Sequence, residues 1–111
     1  MNGGVVIKYS ANQKYITDAV SAGLFKVICA RADVPLQVFI NRSDVLGGST
    51  LGNISGSHVA LNTVDIGLAQ LAMHSPYEIG GNQDPLHLLN VMKALYSPEI
   101  LCTQDGEYPV L

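Results

Sequence analysis

The chain has 111 residues, 48% of them hydrophobic and only 14% charged, against roughly 25% charge in an ordinary soluble domain. That length gives one domain with one core, and the low charge predicts apolar surface that meets another chain or a further segment. A net charge of −3, with six Lys and Arg scattered singly, excludes the clustered basic face that nucleic acid requires.

No apolar run reaches the roughly 18 residues that span a bilayer, so no membrane partner is expected. Met1-Asn2-Gly3-Gly4 has neither the basic nor the apolar part of a secretory signal, and the expected compartment is the cytoplasm. Cys29 and Cys102 are a distant pair with no Cys-x-x-Cys spacing, so both are read as free thiols rather than a disulfide framework or a thiolate zinc site.

Val5-Val6-Ile7-Lys8-Tyr9 is rich in β-branched and aromatic residues and predicts a strand. From about Thr17 to Arg31, Ile16, Ala19, Val20, Gly23, Leu24, Val27 and Ile28 recur at helical spacing and predict a helix with that stripe buried. Asp33-Val34-Pro35 ends it, and Leu36 to Ile40 predicts a second strand. Asn41 to Gly48 forms a loop, after which Ser49 or Thr50 caps a short helix towards His58.

Leu61 to Ile66 predicts a third strand, while Gly67 to Ser75 fits either a buried strand or a helical turn. Asp84-Pro85 supplies an N-cap and a first-turn proline for a helix to about Tyr96, with Leu86, Leu88, Leu89, Met92 and Leu95 on its buried side and Pro98 as its stop. Glu99 to Leu111 shows no clear period. Strands alternating with helices of this length predict an α/β fold: a small layered mixed sheet with flanking helices, whose uncovered edges are open to pairing.

Chemistry-bearing residues are few. Read locally, His74 among small and apolar neighbours is a hydrogen-bonded core residue; His58, His74 and His87 show no ligand spacing such as His-x-x-x-His. Should His74 bind a metal, its co-ligands must come from outside these residues, since a catalytic zinc takes three protein ligands plus water. Lys8 reads either as an edge-strand lysine facing water or as a fixed cation for a substrate carboxylate. Gly47-Gly48-Ser49-Thr50-Leu51-Gly52 lacks the lysine of a phosphate loop and reads first as an ordinary turn before a capped helix. Asp44 and Asp65 are single carboxylates, read as structural.

Several runs together carry a family resemblance: Ile7-Lys8 with Ala11 to Tyr15, Asp33 to Gln37, Asn41 to Asp44, Gly47 to Gly52, Thr63 to Gly67, and Gln70 to Ser75. In order and spacing, over about Val5 to Tyr96, the chain resembles the C-terminal part of the aspartyl aminopeptidase family of zinc metallopeptidases. The resemblance implies that this α/β unit is part of a larger zinc-peptidase catalytic domain acting on peptides. It implies that His74 is the last ligand of a two-zinc centre and that Lys8 contacts the acidic side chain of the substrate's N-terminal residue. The family's other ligands, its glutamate general base and its dimerisation domain precede this region, and no residue here matches them. Asn53 stands where many relatives have proline, which alters a turn more than the chemistry.

Two expectations follow. The first is a fragment of a dinuclear zinc aminopeptidase, inactive alone and completed by its missing N-terminal part. The second is a non-catalytic remnant of the fold that forms a homo-oligomer or binds a partner through its open edge.

Overall fold

The structure is a computed structural model that describes residues 1–97, 101, 103 and 105–110. Its core is a β–α–β unit. Strand β1 (Val5–Tyr9) leads through helix α1 (Ala19–Arg31) to strand β2 (Leu36–Ile40), which lies parallel to β1 in the register Val5 to Leu36 through Tyr9 to Ile40. Helix α2 (Leu51–His58) follows, then β3 (Ile66–Gly67), antiparallel to β1, so the sheet order is β2-β1-β3. A separate two-stranded ribbon pairs β4 (Gln70–Leu71) with β5 (Ile79–Gly80), and helix α3 (Asp84–Tyr96) closes the unit against α1 and β1.

The ends of α1 are written in its local sequence. Asp18 is the N-cap: its carboxylate accepts from the Ser21 amide at 2.7 Å, and the Ser21 hydroxyl accepts from the Asp18 amide at 3.1 Å. This reciprocal box starts the helix at Ala19 rather than Thr17. At the other end Asp33 takes a φ of +52°, the Asp33 amide donates to Ala30 and the Val34 amide to Cys29. That pair of bonds is a Schellman stop, with an aspartate in the left-handed position usually held by glycine.

The buried face of α1 differs from the stripe expected. Ser21, Ala22, Phe25, Ile28 and Cys29 face the core, whereas Val20 and Val27 are 42% and 45% exposed. Apolar residues ring this helix on most sides, so spacing alone supports two stripes, and packing selects the one that carries Phe25. In α3 the helix itself is where expected, but Leu86 and Leu89 are exposed and the fully buried apolar residue is Val91. Leu88, Met92 and Leu95 pack partly against the core as expected. Pro98, the expected stop, lies outside the described residues, as does Cys102. Cys29 is a buried free thiol, and burial raises its pKa.

Two polar details also differ from the local reading. Asp84 is the first helical residue of α3 rather than its cap; its buried carboxylate accepts from the amides of Asn2 at 2.7 Å and Gly4 at 3.1 Å and so ties the N-terminus to α3. Gly81 lies where a Cβ would strike both Asn2 and Asp84, so this knot requires glycine. Thr50 does stand at the N-cap of α2, yet its hydroxyl donates to Asp65 at 3.0 Å instead of capping the helix.

The third strand is much shorter than Leu61 to Ile66. Asp65 is the reason: its amide donates to the Thr17 hydroxyl at 2.8 Å, and its carboxylate takes the Ile16 amide at 2.9 Å as well as Thr50. These side-chain bonds draw the segment towards the β1–α1 loop, and regular pairing is confined to Ile66 and Gly67.

The packed core is small. Among the described residues the buried apolar set is Val5, Ile7, Ala22, Phe25, Ile28, Cys29, Val34 and Val91, while Leu46, Leu51, Ile40 and Ile54 are 60% or more exposed. The radius of gyration of 14.8 Å exceeds the roughly 13 Å of a compact chain of this length, in keeping with the low charge content.

Candidate functional site

Lys8 sits on β1, which is the central strand of its sheet, not an edge. The edge-strand account of this lysine therefore fails. Its amide donates to the Asp65 carbonyl at 2.9 Å, and its ammonium lies 5.7 Å from the centre of the Tyr15 ring, within cation–π range. The stem passes over Gly67 of β3: a Cβ there would stand 2.8 Å from the Lys8 Cε and 3.0 Å from Nζ. Glycine at 67 thus leaves room for the ammonium, and Tyr15 holds it from the other side. Lys8 is half-buried, a cation held by its surroundings rather than swinging in water.

His74 lies on the turn between β4 and β5 and is exposed, with a φ of +69°. Its backbone amide donates to the Glu78 carboxylate, the Ser75 amide closes back on Ala72, and the Ser75 hydroxyl donates to the Tyr77 carbonyl. Ala72 also has a positive φ of +54°. The turn is organised through its backbone, and the imidazole engages no partner among the described residues. A buried, hydrogen-bonded core histidine is therefore not what the fold makes of it.

The two residues are connected through the chain: Lys8 packs over β3, and β3 runs through Leu68 and Ala69 into the ribbon that carries His74. No set of three His, Cys, Asp or Glu side chains able to hold a metal exists among the described residues. His58, His74 and His87 belong to no such set. Asp44 is spent on Arg42, at 2.6 Å on the exposed surface, which lowers its pKa. Asp65 serves the polar junction described above, so both carboxylates are structural, as read.

Sequence reasoning missed Tyr15 and Gly67 as the neighbours that position Lys8. Their contacts span strands and loops far apart in the chain, and no local spacing announces them. The glycine-rich run from Gly47 contributes α2, whose Gly52 and Gly56 lie against Ile16; these glycines serve close packing.

The sequence profile of the family described as Aminopeptidase I zinc metalloprotease (M18) matches residues 1–96. The chain belongs to the M18 family. Among curated relatives, a protein named Probable M18 family aminopeptidase 2 from Pseudomonas savastanoi pv. phaseolicola is 46% identical over 97 residues, covering 87% of this chain and 23% of the relative. The protein of the same name from Pseudomonas aeruginosa is 47% identical with the same coverage.

Solved structures agree. The fold superposes with a TM-score of 0.84 and 35% identity on a chain of the cryo-EM structure of the Ape4 and Nbr1 complex, covering 86% of this chain and 18% of that one. For the crystal structure of prApe1 the TM-score is 0.81 at 26% identity, covering 86% and 20%. The M18 chain thus spans about a quarter of the length of the curated relatives it matches. Its family is one of zinc metalloproteases, yet no group of three or more His, Cys, Asp or Glu side chains among the described residues could hold a metal, and a catalytic zinc takes three protein ligands. No helix among the described residues is long and apolar enough to cross a membrane.

Proposed function

We propose that this chain is the C-terminal portion of an M18 catalytic domain and forms one wall of an aminopeptidase active site. In that reading His74 donates a single ligand to a dinuclear zinc centre, and Lys8 receives the acidic side chain of the substrate's N-terminal residue. The other ligands and the general base come from sequence beyond these residues, so the chain alone is inactive. The observation that carries the reading is the His74 imidazole: exposed, without a partner among the described residues, and held on a turn that its backbone organises without the ring.

Lys8 acts here by binding and orienting. A half-buried ammonium beside an aromatic face keeps its charge while losing some of its freedom, which favours a carboxylate at a fixed position. The proposed compartment is the cytoplasm, where a thiol such as that of Cys29 stays reduced.

The test is complementation. The purified chain is assayed on aspartyl and glutamyl anilides with added Zn²⁺ or Co²⁺, alone and together with the part of the Pseudomonas aeruginosa relative not aligned to it. Activity only in the mixture, abolished by His74→Ala and weakened by Lys8→Ala, is the expected result. Turnover by the chain alone, lost in His74→Ala, overturns the inactivity; restored turnover that ignores His74→Ala overturns the ligand assignment.

A second reading, a self-associating module without catalysis, draws on β2. That strand is an edge, carries no charge, and exposes Val38, Phe39 and Ile40. A discrete oligomer in light scattering, without bound zinc, favours it.

A further inference from the structure

Tyr15, the ring beside the Lys8 ammonium, lies in the loop between β1 and α1, and both peptide units that flank it are pinned from a distance. The Lys14 carbonyl accepts from the Asn53 side-chain amide at 2.9 Å, across 39 positions of sequence. The Ile16 amide donates to the Asp65 carboxylate at 2.9 Å, across 49 positions. The loop's own turn holds its first half, where the Gln13 amide closes on the Ser10 carbonyl at 3.1 Å and the Lys14 amide on the Ser10 hydroxyl at 3.4 Å. Past Lys14 the grip comes from outside.

Both anchors are themselves held. Asn53, in α2, donates also to the Ser49 hydroxyl at 2.9 Å, which occupies the second hydrogen of its amide. The Asp65 carboxylate takes the Thr50 hydroxyl at 3.0 Å as well. On the other side of the ammonium the space is set by Gly67, and the backbone pairing of β1 with β3 maintains that side without help from either anchor. Among the described residues the ammonium makes no ion pair and no hydrogen bond. Ring and glycine therefore locate a charge that is still open to a ligand.

We infer that Asn53 and Asp65 are positioning residues for the Lys8 cation and set its affinity for a substrate carboxylate, an inference that rests on the role proposed above for Lys8. Neither touches the substrate; both act through Tyr15. A cation–π contact near the surface is weak, so the ring steadies the ammonium only while the ring is itself in place. Pinning the peptide on each side of Tyr15 removes the backbone freedom that would let ring and ammonium part. A cation placed in advance binds its carboxylate at a lower ordering cost than one that must be gathered from solvent.

The positioning is read on the chain alone, by nuclear Overhauser contacts from the Lys8 Cε protons to the Tyr15 ring and to the Gly67 Cα protons. Asn53→Ala and Asp65→Ala are each expected to weaken the Tyr15 contact several-fold and to leave the Gly67 contact intact, a split that general loosening of the fold does not produce. Asp65→Asn, whose amide oxygen can accept the same bonds, is expected to retain both contacts. Should Asp65→Ala fail to fold, Asn53→Ala decides, since Asn53 is a half-buried helical position that alanine suits. A Tyr15 contact that survives in the folded alanine variants overturns the positioning.

In the complementation mixture, the same alanine variants are expected to raise KM for an aspartyl anilide several-fold, with a smaller change in kcat and a smaller change for an alanyl anilide. Lys8→Ala separates the two levels. If it leaves the aspartyl KM unmoved, the role of Lys8 fails, whatever the contacts show. If Lys8→Ala raises that KM and neither Asn53→Ala nor Asp65→Ala does, the positioning alone is overturned.

Discussion

The amide of Asp65 donates to the hydroxyl of Thr17 at 2.8 Å, while the carboxylate of the same aspartate takes the Ile16 amide next along the chain. One residue thus joins the strand that approaches the site to the loop that launches α1, across 48 positions of sequence. Replacing it leaves the Ile16 amide and the Thr50 hydroxyl without their acceptor in a half-buried junction. Asp65→Ala is expected to cost about 2–3 kcal/mol, read as a lower urea midpoint, with Asp65→Asn intermediate because its amide oxygen can accept both bonds that Oδ2 accepts but without the charge.

The face of α1 that is buried separates two substitutions of similar chemistry. Phe25→Ala removes a ring that is 2% exposed and is expected to cost about 3–5 kcal/mol. Val20→Ala, on the exposed face, is expected to fall within about 0.5 kcal/mol of the parent. Thermal unfolding of both variants checks the assignment; equal losses contradict it.

The cap of α1 gives stability a pH dependence. The hydrogen bond from the Ser21 amide holds the Asp18 carboxyl below its ordinary range, against a smaller opposing effect of burial. A carboxyl whose folded pKa is depressed stabilises the fold above its unfolded value, and the contribution is lost as pH falls through the folded pKa. Asp18→Ala is therefore expected to cost about 1 kcal/mol at pH 7, and the difference from the parent shrinks as the pH falls below about 4. Urea melts at neutral and acid pH read this directly.

The N-terminus depends on α3 through Asp84. Asp84→Ala strips acceptors from the Asn2 and Gly4 amides, with an expected loss of about 2–3 kcal/mol. Gly81→Ala, whose methyl meets Asn2 and Asp84, is expected to lose about 1–3 kcal/mol through the same knot. Hydrogen exchange at the Asn2 and Gly4 amides is expected to rise in both.

His74→Ala is expected to leave the unfolding midpoint within about 0.5 kcal/mol of the parent, because the ring makes no hydrogen bond among the described residues. A large loss of stability without zinc reveals instead a structural histidine. The same variant in the complementation assay then reads the ligand role alone.

Much of the element order was legible. Val5 to Tyr9 and Leu36 to Ile40 are dense in β-branched and aromatic residues, and the strands occupy those positions; the α3 span is equally plain from its proline and apolar period. The resemblance carried by scattered runs pointed to the aspartyl aminopeptidase family of zinc metallopeptidases, and the matched profile bears out a zinc aminopeptidase family, M18. Less legible were the partners of polar groups. Asp84 looks like a cap and is a buried anchor for the N-terminus; Thr50 looks like a cap and serves Asp65. Each side chain has a local use and a distant one, and the distant one wins where burial raises the cost of an unsatisfied amide.

The boundary between these levels runs through α1. Asp18, Ser21 and the turn at Asp33 set where the helix starts and stops, because the bonds that do so span no more than five residues. Which side of it faces inward is decided by β1, α3 and the room available for Phe25, since apolar residues on several sides leave the rotation of the helix open. His74 and Lys8 divide in the same way. Their residue types and neighbours were plain in the chain, but the exposure of one and the clasp of the other by Tyr15 and Gly67 arise only when strands distant in sequence are brought together, because burial and ring contact are properties of packed surfaces.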